Sequence, residues 1–107
     1  MAFEALNVSL EVVDLLADVE SKIRVRRKSL ADQIGRAAES IALNLAEGRH
    51  RAGLDRIDLF RRAAGSAGEL TAALHIAKAR SYIAASEHAA VERSLDRLRG
   101  LLWGLTH

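Results

Sequence analysis

Apolar and polar positions follow a helical period along almost the whole chain, and the pattern is clearest around residues 30–48. With each residue turned about 100° on a helix, Leu30, Ile34, Ala37, Ile41 and Leu45 share one apolar face. Gln33, Arg36, Ser40, Asn44 and Glu47 form a polar stripe directly beside it. A third face, Ala31, Gly35, Ala38, Ala42 and Ala46, is built of small residues, with Glu39 the only charge nearby. Solvated helix faces usually carry Lys and Glu. Mixed hydrogen-bonding groups beside an apolar face instead predict a packed polar network, and the small-residue face predicts cover by another subunit.

The same period defines three more helices. Over about residues 4–25, Ala5, Val8, Val12, Val13, Leu16, Val19 and Ile23 line one face, and Glu4, Asn7, Glu11, Asp14 and Asp18 the other. Over about 54–84, Leu59, Phe60, Ala63, Ala67, Leu70, Leu74 and Ala77 share a face, flanked by Arg62, Ser66 and Glu69. Gly65 and Gly68 weaken that helix by about 1 kcal/mol each. Two readings stand there: a close backbone approach by another helix, or a break into two helices. From Ser86 onward, Val91, Leu95, Leu98, Leu102 and Leu105 follow a coiled-coil-like spacing. Ser29 with Asp32, and Ser86 with Glu87, are the expected starts of helices two and four, and Gly100 and Gly104 are expected to fray the end. Short connections between four such helices predict an all-α, antiparallel up-down bundle forming a single domain over residues 1–107.

Composition agrees. The 107 residues include no Pro, the strongest helix breaker, and no Cys, so neither disulfides nor thiolate metal sites are available. No 18-residue apolar run and no basic leader followed by an apolar core occurs, so the expected setting is cytoplasmic, with no membrane contact. Net charge is only +2, but it is unevenly spread. Residues 1–21 hold five acids and no base, whereas residues 22–62 hold eleven bases against five acids. Thirteen of the sixteen bases are Arg. That bias has two readings, a GC-rich genome or phosphate contact.

The stretch Leu30, Gln33, Ile34, Arg36, Ala37, Ser40, Ile41, Asn44, Leu45, Ala46, Glu47 and Gly48, with Arg51 after it, resembles a bacterial family of four-helix-bundle proteins. These are related to the proteins encoded by intervening sequences of 23S ribosomal RNA genes. A second block, Ala63, Gly65, Ser66, Glu69 and Leu70, and the N-terminal Phe3, Leu6 and Val8 extend the resemblance over nearly the whole chain. The chain departs from the family pattern at Ser9, where an aromatic residue is frequent, and in the short basic connection before helix two. The resemblance implies a ring-like homopentamer of bundles. It also extends to accessory proteins of diversity-generating retroelements, basic pentameric barrels that partner a reverse transcriptase and bind nucleic acid. For most members the family implies no defined activity.

Candidate chemistry is sparse. Di-iron bundles use a Glu-x-x-His from each of two helices; of His50, His75, His88 and His107 only His50, after Glu47, has a Glu three residues earlier, so the pair is incomplete, and no His-Glu-x-x-His occurs. No metal or other cofactor is expected. Gly65-Ser-Ala-Gly68 faintly matches a phosphate loop or nucleophile elbow, but both need a preceding strand. No catalytic residues are assigned, and the chain reads as a non-enzyme. Gln33, Arg36, Ser40, Asn44 and Glu47 with Arg62, Ser66 and Glu69 read as a structural network or oligomer interface, in which Glu47 and Glu69 neutralise Arg36 and Arg62. Unpaired, such buried charges cost several kcal/mol, on the order expected for any buried ion. The basic residues Arg24, Arg26, Arg27, Lys28, Arg49, Arg51 and Arg56, with His50, flank two turns that lie at opposite ends of an up-down bundle. They have two readings: ordinary solvated loop ends, or two rims for salt-dependent, sequence-independent contact with RNA or DNA. Two functions follow: a nucleic-acid or ribonucleoprotein module, or a structural protein whose oligomer binds a protein partner such as a reverse transcriptase.

Overall fold

The computed structural model describes residues 3–107. Four helices account for nearly all of them: α1 Glu4–Arg26, α2 Lys28–Gly48, α3 Gly53–Ala79 and α4 Ala85–Thr106. No strand occurs among the described residues. Each helix packs on the next in sequence, and α4 closes back onto α1. Contacts near both ends fix the directions. Glu4 at the start of α1 meets Arg97 in α4 at 2.5 Å, while Lys22 near the end of α1 meets Glu87 at the start of α4. Neighbouring helices therefore run antiparallel, in a body 42 Å long that matches the length of α3 at about 1.5 Å per residue.

The core is the set of faces that the period defines. Val8, Val12, Leu16 and Ile23 of α1, Ile34, Ile41 and Leu45 of α2, Leu70 and Leu74 of α3, and Leu95, Leu98 and Leu102 of α4 are almost completely buried. Burying a Leu or Ile side chain contributes about 1.5–3 kcal/mol, so this stack along the bundle axis is the main source of stability. Val13, Leu59 and Leu105, assigned to the same faces, are only half-buried at its margin. No described helix is long and apolar enough to cross a membrane.

The boundaries differ from expectation at three places. Ser29 does not cap α2, because the helix has already begun at Lys28. The chain reverses on Arg27 alone, which is extended (φ −154°, ψ 93°) and donates its N–H to Ile23 O at 2.7 Å. Asp32 is drawn to Arg24 of α1 instead, at 2.7 Å. The third helix ends at Ala79, five residues early. Ser81 takes a left-handed conformation (φ 59°), and Tyr82 N–H closes on Ala77 O at 2.9 Å. Such a stop usually carries Gly, so a Ser there gave no signal. Finally, α4 is capped at Ala84, whose N–H is taken by Glu87 Oε1 at 2.8 Å, with Ser86 already inside the helix.

The glycines also sort differently. Helix α3 runs unbroken through Gly65 and Gly68, and a Cβ at either would meet nothing within 4 Å, so neither marks a close approach within this chain. Helix α4 stays helical through Gly100 and Gly104. The close approach is at Gly48, where a Cβ would lie 2.6 Å from Phe60 Cε1. The small-residue face of α2 is covered by α1 of the same chain: Ala31 and Ala38 are buried, and Glu20 Oε1 reaches within 2.8 Å of where a Gly35 Cβ would sit. Gln33, Arg36, Glu39, Leu43 and Glu47 form the exposed face of α2.

Candidate functional site

The α2 and α3 polar stripes meet along one seam, but only their short members bond across it. The Ser40 and Ser66 hydroxyls are 2.8 Å apart, and Asn44 Nδ2 donates to Ser40 O at 2.8 Å and to Ser40 Oγ at 3.1 Å. These three side chains are half-buried. The charged members are not. Gln33, Arg36, Glu47, Arg62 and Glu69 are all exposed. Glu47 pairs with Arg51 at 3.0 Å and Arg62 with Asp58 at 3.1 Å, each four residues away. Mutual neutralisation of Glu47 and Glu69 with Arg36 and Arg62 inside the chain is therefore corrected. The stripe lies at the outer edge of the helix pair, where long side chains reach water and bind groups close by in the chain.

The basic clusters lie at opposite ends of the bundle, and they differ. Around the α2–α3 connection, Arg51 is paired with Glu47, and Arg56 donates to Gly48 O and Arg49 O at 3.3 Å, closing the end of α2. The guanidinium of Arg49 lies 5.7 Å from the Phe3 ring centre. The same segment carries Glu47, Asp55 and Asp58. At the other end, Arg24 is held by Asp32. Lys22 and Ala84 N–H hold the Glu87 carboxyl below its usual range, and Arg24 does the same for Asp32. Arg26, Arg27 and Lys28 are exposed there and make no ion pair with a described residue. The sequence reading missed two further members, Lys78 and Arg80. The α3–α4 turn brings them to the same end, also exposed and without a carboxylate partner among the described residues. Arg26 lies 5.4 Å above the Tyr82 ring. Arg27, Arg80 and Tyr82 border a shallow hollow of 220 Å³ together with Ser29, Gln33 and Ile76.

A larger groove of 370 Å³ runs between α1 and α2, bordered by Glu20, Arg24, Asp32, Arg36 and Glu39. Burial pushes the Glu20 carboxyl up, Arg24 opposes this and Glu39 adds to it.

A further cluster lies between α3 and α4. His75, His88 and Glu92 bring their side-chain ligand atoms within 4.8 Å of one another. The two imidazoles are tilted against each other with ring centres 4.7 Å apart. The expectation of no metal rested on Glu-x-x-His and His-Glu-x-x-His spacings, which test a single helix. Here the third group arrives from another helix, and the visible signal was only the four-residue step from His88 to Glu92.

Fold and surface define an all-α, four-helix protein with a polar seam on one side and a basic end. A family model described as 23S rRNA-intervening sequence protein matches residues 2–104, and the chain belongs to that family. Among solved structures it is similar to a protein of unknown function from the S23 ribosomal protein family of Bacteroides thetaiotaomicron. The identity is 20%, with a TM-score of 0.87, covering 95% of this chain and 97% of that one. At that identity the likeness speaks for the fold. No curated protein matches the chain.

Proposed function

We propose that this protein is a non-catalytic, self-associating cytoplasmic module that binds the phosphate backbone of nucleic acid through one end of its bundle. The reading is carried by Arg26, Arg27, Lys28, Lys78 and Arg80, which reach solvent from two turns at that end without a carboxylate partner among the described residues. Phosphate neutralisation needs such cations and reads no sequence. The opposite end is a weaker contributor, because its arginines are already engaged. The ring-like homopentamer implied by the family resemblance would multiply the basic end fivefold. The outer α2–α3 surface is the proposed contact between copies. Leu43 is 69% exposed there, and the Ser40–Asn44–Ser66 seam runs beside it.

The test is light scattering coupled to size exclusion, with and without a structured RNA, on the natural protein and on the triple variant R26Q/R27Q/K28Q. The expected result is a mass of about five chains that rises with RNA at low salt and returns at high salt. The triple variant should flatten the dependence of log affinity on log salt by roughly 1 per lost phosphate contact. A monomer refutes the assembly. An oligomer indifferent to RNA refutes the nucleic-acid role and leaves the protein-partner reading in its place.

A further inference from the structure

We propose that His75 of α3 and His88 and Glu92 of α4 form a binding site for a divalent transition-metal ion of the zinc class, which ties the two helices together. Two imidazoles and one carboxylate are a donor set that suits zinc and its neighbours and leaves a further coordination position. The chain supplies them in compatible positions. His88 and Glu92 are one turn apart on the same face of α4, and the antiparallel packing of α3 sets His75 beside His88.

The decisive observation is a pair of facing polar atoms on one turn of α4. His88 Nε2 and Glu92 Oε2 face each other at 3.7 Å, within ion-pair range but beyond hydrogen-bond reach. Both are buried, and neither has a hydrogen-bond partner among the described residues. The His88 side chain is only 7% exposed. Leaving a buried donor or acceptor unmatched is costly. An ion bonded at about 2.0–2.2 Å to each would satisfy both at once.

The surroundings support the ligand roles. Arg99 fixes the carboxylate. Its Nη2 donates to Glu92 Oε1 at 2.8 Å, leaving Oε2 directed at His88. Arg99 is itself held by Asp96 and by Thr71 Oγ1, which accepts from Nη1 at 2.6 Å. Metal ligands are commonly oriented by such outer partners. His75 is exposed, so the remaining position faces solvent.

The test is calorimetric titration of the whole chain with Zn²⁺, repeated with Co²⁺ and read by visible absorption for tetrahedral nitrogen and oxygen ligation. The expected result is one ion per chain. Affinity in H75Q and in H88Q should fall by more than about 100-fold, beyond the 10–100-fold that loss of a supporting partner costs. H50Q and H107Q should bind as the natural chain does. Because His75 is exposed, H75Q keeps the fold, checked by circular dichroism, and decides the matter should H88Q not fold. Absence of saturable uptake, or uptake that survives H75Q unchanged, overturns the site.

Discussion

Adding one methyl group at Gly48 should destabilise this protein, although alanine is the better helix former. Gly48 is the last residue of α2, and the Phe60 ring of α3 lies against its Cα. A Cβ built there falls 2.6 Å from Phe60 Cε1, 2.9 Å from Cδ1 and 3.4 Å from Leu59 Cβ. Ordinary carbon contacts are about 3.5–4.0 Å, so the ring must retreat by roughly an ångström. It has little room: Phe60 is 5% exposed and its ring also packs on Phe3, with ring centres 5.8 Å apart. Forcing an extra methyl into such a contact costs about 1–3 kcal/mol. Replacing Gly with Ala returns about 1 kcal/mol in a helix interior and less in the last turn. The expected net loss is therefore about 1–2 kcal/mol. At roughly 4–8 °C per kcal/mol for a chain near this size, Gly48→Ala should lower the melting temperature by about 5–15 °C. Gly68→Ala is the control: its Cβ meets nothing within 4 Å, so only the propensity gain of up to about 1 kcal/mol remains. Urea unfolding of both variants at one protein concentration measures the difference. Adding Phe60→Leu to Gly48→Ala should recover part of the loss. A Gly48→Ala protein as stable as the natural one would refute the close approach.

The Glu47→Ala substitution should cost less than about 0.5 kcal/mol, the value of an exposed pair four residues apart, because Glu47 and Arg51 are both about half exposed. Urea unfolding checks this, and a loss of about 2 kcal/mol or more would mean that Glu47 is buried in the assembled protein. At the basic end, Lys22 and Ala84 N–H hold the Glu87 carboxyl below its unfolded value of 4.5. A carboxyl lowered in the folded state stabilises fully above the unfolded value, and that stabilisation is lost as pH falls through 4.5 toward the folded value. Melting curves from pH 6 to about 3 should thus fall less steeply for Glu87→Gln than for the natural protein, and superimposable pH profiles would contradict the pairing.

The sequence by itself determined the four helices and the faces they bury, because a 3.6-residue period in apolar positions acts locally and nothing in a chain without Pro interrupts it. Leu30, Ile34, Ile41 and Leu45 are core residues on that ground alone, as are Leu95, Leu98 and Leu102. Local signals failed where a neighbouring helix competed with them. Ser29 offered a cap, but the α1–α2 reversal on Arg27 started the helix earlier, and Asp32 went to Arg24. Depth from solvent was also invisible: one polar stripe contains half-buried Ser40 and Asn44 beside exposed Arg36 and Glu47, because side-chain length and the edge of the helix pair decide which groups reach water. Only the tertiary structure gathered Lys78 and Arg80 with Arg26, Arg27 and Lys28, and His75 with His88 and Glu92. Residues on different helices meet through the direction and register of packing, and the period that forms each helix carries no record of which turn will face which.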